Sequence, residues 1–455
     1  MRRSRNEQGP ETVISGFSST MTMQTRWPAY AAALLSAPFF LSGLLFAAPS
    51  ASAQAASAAA TAVPHPQWVM EARARTAREK PQPPAAPAKP QPPPRIPFTA
   101  AEDAAAVVPG MPEARFWADS EAAFKNALPP QQGPWLVLSS GGEDGAFGAG
   151  LIIGLTAAGT RPDYAVVTGV STGALMAPFI FAGPHYDDAL RNAYTKVSAA
   201  DIFEAGSTAE SFVDSWPLKG FIGNEITPAL LADIAAEHRR GRRLFVPSYD
   251  LDAERAVVWN LGAIAAHGGD AALNLFRTVL LASSSVPGAF PPVLIEVEAN
   301  GKRFQEMHVD GGIGGQFFVA PVSLMAPTSD YRLPATQLYV VVNTGLERDF
   351  QVVERFAPSI LTQTVGAAVK VDTRLMIDRA YVVAKRSGVP FNVATIPPSF
   401  SAPSKGPFDP GYMGALFQIG YDLGKSGAPF SSEPPPYPAE PASPPSHIEK
   451  TGANQ

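Results

Sequence analysis

Ala165-Val166-Val167-Thr168-Gly169-Val170-Ser171-Thr172-Gly173-Ala174-Leu175-Met176-Ala177-Pro178-Phe179-Ile180-Phe181 is the stretch whose reading decides the fold. Ala165 to Thr168 is a short β-branched run that reads as a strand. Thr172 to Phe181 is small and apolar, suited to a buried helix. Between them lies Gly169-Val170-Ser171-Thr172-Gly173, a G-x-S-x-G turn from strand to helix. Such a turn is sharp enough to strain the serine backbone, and its flanking glycines let neighbouring backbone approach without a Cβ. The serine oxygen then stands at a helix N-terminus, where the dipole favours developing negative charge. A strand-to-helix turn in which Ser171 merely caps the helix has the same local pattern, so the motif alone leaves both readings open.

The same alternation extends outward. Trp135–Ser139, Leu244–Pro247, Ala256–Trp259 and Leu338–Val342 read as strands. Ala146–Ala158, Leu273–Ala282 and Ile360–Lys385 read as helices. Pro228–Arg239 reads as another, with Thr227 as N-cap and Pro228 at the first helical position. Strands alternating with helices predict a mostly parallel sheet covered on both faces, a three-layer α/β/α sandwich.

A second chemical element follows the first strand. Ser139-Ser140-Gly141-Gly142-Glu143-Asp144-Gly145 is a glycine-rich loop opening a helix, with consecutive amides able to bind an anion. No Lys-Ser or Lys-Thr follows the glycines, so a nucleotide P-loop fails. Ser140 stands where a G-x-G-x-x-G fingerprint needs its first glycine, so a dinucleotide site is weakly supported. The loop is better suited to an oxyanion hole.

The proton of Ser171 needs an acceptor. Asp310, in His308-Val309-Asp310-Gly311-Gly312, is the best acid. A triad in α/β-hydrolase order would need a later histidine, and His447 lies in a Pro- and Ser-rich tail. A dyad in which Asp310 meets Ser171 directly is simpler, with burial raising the carboxyl pKa toward the working pH. His308 shares a strand face with Asp310 and is a possible assistant. A turn aspartate before Gly-Gly is the alternative for Asp310.

These pieces, in this order, resemble the patatin-like phospholipase family: a Gly-rich loop after the first strand, a G-x-S-x-G elbow, and a later D-G-G. Ala282-Ser283-Ser284-Ser285-Val286-Pro287-Gly288-Ala289-Phe290-Pro291-Pro292 looks like a further family segment between elbow and aspartate. The resemblance implies Ser171 as nucleophile, Asp310 as base, and the Gly141 and Gly142 amides as oxyanion hole, with Gly169 and Gly173 flanking the elbow. It implies hydrolysis of acyl esters in phospholipids or other lipids, with no cofactor and no metal. Two departures stand out. Ser140 replaces a usual glycine, and Asp144 replaces a usual basic residue. Asp144 is expected to face away from the oxyanion or to cap the next helix. An acyltransferase on the same dyad and a non-catalytic lipid-binding envelope protein are the alternatives.

Composition bounds the rest. The 455 residues include 47 prolines, no cysteine and six histidines, with a net charge of −5. Disulfides and thiolate sites are excluded. No basic stripe suits nucleic acid. No HExxH or paired histidines support zinc. Arg26, an apolar run from Ala29 to Ala48 and Ala51-Ser52-Ala53 read as an export signal, implying a periplasmic or secreted protein, with an uncleaved membrane anchor as the alternative. The expected organisation is an N-terminal extension and signal (1–53), an Ala/Pro-rich linker and extension (54–133), a catalytic domain (134–428) and a disordered Pro-rich tail (429–455). Lipid substrates imply transient contact with a membrane surface, although no amphipathic basic helix stands out. Oligomeric state is left open.

Overall fold

The computed structural model describes residues 94–437 except 207–209 and 349. The expected signal, most of the polyproline spacer, His447 and most of the expected tail lie outside the described residues.

Nine strands form one sheet: β1 (Arg115–Trp117), β2 (Gly133–Leu138), β3 (Val166–Gly169), β4 (Arg243–Asp250), β5 (Arg255–Asn260), β6 (Val293–Ala299), β7 (Lys302–Asp310), β8 (Ala335–Val342) and β9 (Phe391–Thr395). The main path runs β1-β5-β4-β3-β2-β8-β9, and β7 pairs with both β4 and β6. The five strands from β4 to β9 are parallel, while β1, β5, β6 and β7 join antiparallel. The helices used below are α1 (Ala100–Ala104), α2 (Glu121–Ala127), α3 (Gly145–Ala157), α4 (Thr172–Ala182), α5 (Pro228–Arg239), α6 (Gly269–Ser283), α7 (Ala357–Ser387) and α8 (Pro410–Lys425).

Period-two alternation along the strands makes the three layers. Leu136 and Leu138 face one core with α3, α4 and α5, whereas Trp135 and Val137 face the other with Phe124 of α2 and Ile377 of α7. Since β2 is buried on both faces, it reads as a continuous apolar run. Thr227 caps α5 by accepting from the Leu230 amide.

Helices α3 and α8 pack backbone against backbone. A Cβ on Gly150 would lie 2.0 Å from the Phe417 carbonyl oxygen, and one on Gly420 would lie 2.1 Å from that of Phe147. Gly154 and Gly424 repeat the arrangement one turn on. Glycine at these four places is what lets α8, far along the chain, seat on the helix that opens at the glycine-rich loop.

Both ends of the expected catalytic domain reach further than composition suggests. Residues before 134 close one edge of the sheet: β1 pairs with β5, Phe98 stacks on Phe304, and Arg95 pairs with Asp252. At the other edge, Ser431 exchanges backbone hydrogen bonds with Val393 of β9 at 2.8 and 2.9 Å. Sheet edges carry unpaired amides and carbonyls, and these flanking segments satisfy them. Composition concealed short ordered segments whose edge-closing partners lie far along the chain.

Candidate active site

Ser171 sits between β3 and α4 with φ 55° and ψ −121°, a conformation that non-glycine residues rarely adopt. Such strain costs on the order of 1–3 kcal/mol and is held only by its surroundings. Those surroundings require glycine on both sides. A Cβ on Gly169 would meet the Gly173 carbonyl oxygen at 2.2 Å, and one on Gly173 would meet that of Leu138 at 2.5 Å. The Ser171 hydroxyl makes no capping bond to α4. The side chain is buried and left for something other than capping.

The segment Ser283–Ser285, at the end of α6, braces the elbow. The Ser171 amide donates to Ser283 Oγ at 3.2 Å, and Ser284 Oγ donates to the Ser171 carbonyl at 3.4 Å. The Asp310 amide donates to the Ser285 carbonyl at 2.8 Å. Three consecutive serines thus tie the elbow and the aspartate to one helix end. The sequence marked this segment as a motif without giving it that role.

Sheet topology explains why Asp310 arrives here. Strand β4 pairs with β3 through Thr168↔Phe245 and then runs on past the elbow. Where β3 leaves the sheet, the end of β7 takes its place beside β4, in the register Ser248↔Asp310. Gly311 makes the close pass possible, because a Cβ there would lie 2.4 Å from the Pro247 carbonyl oxygen. Asp310 is buried. Its Oδ1 accepts from the Gly312 amide at 2.7 Å, while Oδ2 has no hydrogen-bond partner of ordinary geometry. Burial pushes the carboxyl up from 3.8 to about 6, against a smaller opposing pull from the Ser171 hydroxyl and the Gly312 amide. The hydroxyl is near enough to act on the carboxyl without forming an aligned bond, as is common in unliganded sites.

In the glycine-rich loop Gly141 has φ 156° and Gly142 φ 58°. A Cβ on Gly141 would lie 2.3 Å from the Asn343 carbonyl oxygen. Among the described residues neither the Gly141 nor the Gly142 amide donates a hydrogen bond to protein. Ser140 is tied down on both sides: its amide donates to the Gln316 carbonyl at 2.8 Å, and its hydroxyl bonds the Gln316 side chain. A side chain is therefore accommodated where a glycine was expected. Asp144 occupies the N-cap position of α3 but makes no capping bond. Its carboxylate accepts from the Tyr412 hydroxyl at 2.6 Å, and burial raises it to about 6. Capping is thus replaced by a contact to α8.

A mostly apolar pocket opens between Gly142 and Thr172, lined further by Leu175, Phe179, Leu218 and Ile222. Of the apolar residues of α4, Leu175 and Phe179 face this pocket, whereas Met176, Ile180 and Phe181 are core.

His308 does not assist Asp310. It is fully buried, with Nδ1 3.0 Å from Ser248 Oγ and Nε2 3.1 Å from Glu306 Oε2. Glu306 is gripped by both arms of the Arg115 guanidinium, one at 2.8 Å. Asp250, Glu306 and His308 are of metal-ligating type and converge within 4.8 Å. Both Glu306 oxygens and both His308 nitrogens are already engaged, and Arg115 supplies the positive charge a cation would bring. The cluster fits an internal ion-pair network on the face of β7 that ends in Asp310. Sequence reasoning missed Arg115, because its partner is nearly two hundred residues away.

A mixed α/β sheet with a strained serine at a strand–helix turn, beside free glycine amides, defines an elbow-serine α/β protein. Residues 136–322 match the family model of the patatin-like phospholipases. No curated protein matches the chain. Among solved structures, the crystal structure of VipD from Legionella pneumophila aligns at 10% identity with a TM-score of 0.36, covering 65% of this chain and 66% of that one, just under two thirds.

Proposed function

We propose that this protein hydrolyses acyl esters of phospholipids or related lipids through a Ser171–Asp310 dyad and an acyl-enzyme. The observation that carries the reading is a buried Asp310 with one oxygen free, held by β7 beside the strained Ser171. Asp310 accepts the Ser171 proton as Oγ attacks the ester carbonyl. The amides of Gly141 and Gly142 receive the oxyanion; each such donor is typically worth about 3 kcal/mol. Collapse of the tetrahedral intermediate breaks the bond to the leaving alcohol, which takes the proton from Asp310. Water then attacks the acyl-enzyme, gives its proton to Asp310, and releases the fatty acid as the proton returns to Ser171. The pocket lined by Leu175 and Phe179 suits the acyl chain.

Labelling with an organophosphonate and assay of Ser171→Ala test the reading. Adduct formation at Ser171 and loss of ester hydrolysis in the variant are expected. Hydrolysis that survives the substitution sinks the dyad, and a folded protein that resists labelling favours a binding module. A screen across lipid classes then defines the substrate. Export is the destination that the N-terminal sequence supports. A mature N-terminus near Gln54 is its test.

A further inference from the structure

Helix α7 is longer than the sheet it covers. Its 31 residues span about 46 Å, whereas the eight residues of the neighbouring β8 span about 26 Å. The excess is not shared between the two ends. At the C-terminal end the Ser387 hydroxyl accepts from the Leu333 amide at 2.8 Å, just before β8 begins. Near the other end of the sheet, Arg374 donates to the Leu346 carbonyl at 3.0 Å, and Met376 packs on Gly315. Residues 357–369 therefore overhang by about 20 Å. They overhang at the C-terminal rim of the parallel strands, the rim that carries Ser171 after β3 and Gly141 after β2.

The overhang has an unusual surface. From Phe356 to Val369 the sequence has no charged residue. Within it Ile360, Leu361 and Val365 are exposed apolar side chains, and just beyond it Val371 and Leu375 are exposed along the neighbouring groove. Helical spacing puts Ile360, Leu361, Val371 and Leu375 away from Thr373, Ile377, Ala380 and Ala384, the face that α7 buries, while Val365 shares the phase of the buried Val383. The preceding loop continues the patch: Phe350 is 96% exposed and Phe356 60%. A helix that turns an apolar stripe outward is incomplete without an apolar medium. On the flank of the same helix lies a groove of about 580 Å³. Its described lining carries Arg348 and Lys370, the latter also donating to the Glu347 carbonyl, against one carboxylate, Glu347, while Arg374 lies buried beneath, bonded to the Leu346 and Pro436 carbonyls. An apolar stripe beside a cationic groove has the polarity of a phospholipid layer, acyl chains against the stripe and phosphates toward the groove. A second copy of this chain would present the same cations and no phosphate.

We infer that the overhanging half of α7, with the loop 350–353, is the surface by which the protein docks on a phospholipid bilayer. The surface lies in the headgroup–acyl boundary and does not cross the membrane; no described helix is long and apolar enough to do so. Docking there brings the rim with Ser171 to the layer from which a lipid substrate must come. The inference rests on the proposed lipid activity for its purpose but not for its test.

The absence of cysteine makes a site-specific test direct. Leu361→Cys carries an environment-sensitive fluorophore, Arg303→Cys serves as an exposed control, and the full chain is titrated with vesicles of phosphatidylcholine and phosphatidylglycerol in equal parts. The probe at 361 is expected to brighten, shift to the blue and be quenched by spin-labelled acyl chains, while that at 303 stays aqueous. Adding Ile360→Glu and Arg348→Glu should weaken the titration about tenfold or more, leaving turnover of a short, water-soluble ester unchanged. A probe at 361 that stays in water while vesicles are bound overturns the inference. So does a probe that shifts without vesicles as the protein dimerises in light scattering. If no ester is hydrolysed yet the probe at 361 responds to vesicles and the charged variant does not, docking stands and the proposed hydrolase falls.

Discussion

Replacing Asp310 with asparagine removes a charge from a place where the fold disfavours it. The side chain keeps its shape: Asn Oδ1 can still accept from the Gly312 amide, which now binds Asp310 at 2.7 Å, and the new amide faces the oxygen's former free position. Burial raises the Asp310 carboxyl from the ordinary 3.8 to about 6. In the unfolded chain the group ionises near its ordinary value. Below that value it is protonated in both states and nothing is lost. Between that value and about 6 the unfolded chain gives up the proton while the folded state holds it, so stability falls relative to the variant; above about 6 the folded state carries the buried charge and the deficit stays constant. The rise corresponds to about 3 kcal/mol. Asp310→Asn should thus be more stable than the parent by up to about 3 kcal/mol near pH 8, with the difference vanishing near pH 4. Urea unfolding at the two pH values, followed by fluorescence of the buried Trp135 and Trp259, measures it. The same substitution should abolish ester hydrolysis, and kcat/KM of the parent should fall as pH drops through about 6. A variant equally destabilised at both pH values would refute the reasoning, for it would mean Asp310 is a structural acceptor and not a strained base.

Other consequences can be measured alongside. Gly420→Ala places a Cβ 2.1 Å from the Phe147 carbonyl oxygen, so α8 must retreat from α3 by roughly 1 Å and stability should fall by about 1–3 kcal/mol. Gly414→Ala on the same helix meets nothing within 4 Å and should stabilise by up to about 1 kcal/mol; equal effects of the two on thermal unfolding would disprove the close packing of α3 and α8. Arg115→Met strands the buried Glu306 carboxylate and should cost about 3–5 kcal/mol, most of it recovered by adding Glu306→Leu. A denaturant double-mutant cycle without such recovery would show that Arg115 acts by packing alone.

Much of the site is local in sequence. The elbow, the glycine-rich loop and Asp310-Gly311-Gly312 each carry a steric or electrostatic requirement that a short stretch satisfies, which is why strands β2 and β3 and helices α3 and α4 could be placed within a few residues. His308 shows the limit. Its spacing put it on the face of Asp310, as found, but its nitrogens went to Ser248 and Glu306, partners that spacing along one strand cannot reveal. Asp144 failed as a cap for the same reason: Tyr412, on a distant helix, competes for its carboxylate. Nor does α7 carry the pattern of a basic amphipathic helix. In α7 the apolar stripe shows only when helical phase is combined with knowledge of which face is buried.

By itself, the sequence determined the alternation of strand and helix, the strained serine turn and the residue types available for acyl chemistry, because periodicity, glycine sterics and the lack of cysteine act within a few residues. Tertiary structure alone decided that β7 replaces β3 beside β4 and so delivers Asp310 to the elbow. It also decided that Ser283–Ser285 braces both, that segments flanking the expected domain close the sheet edges, and that α7 outruns the sheet. Those outcomes depend on pairings between residues dozens to hundreds of positions apart, where many partners are chemically acceptable and only the packed chain selects one.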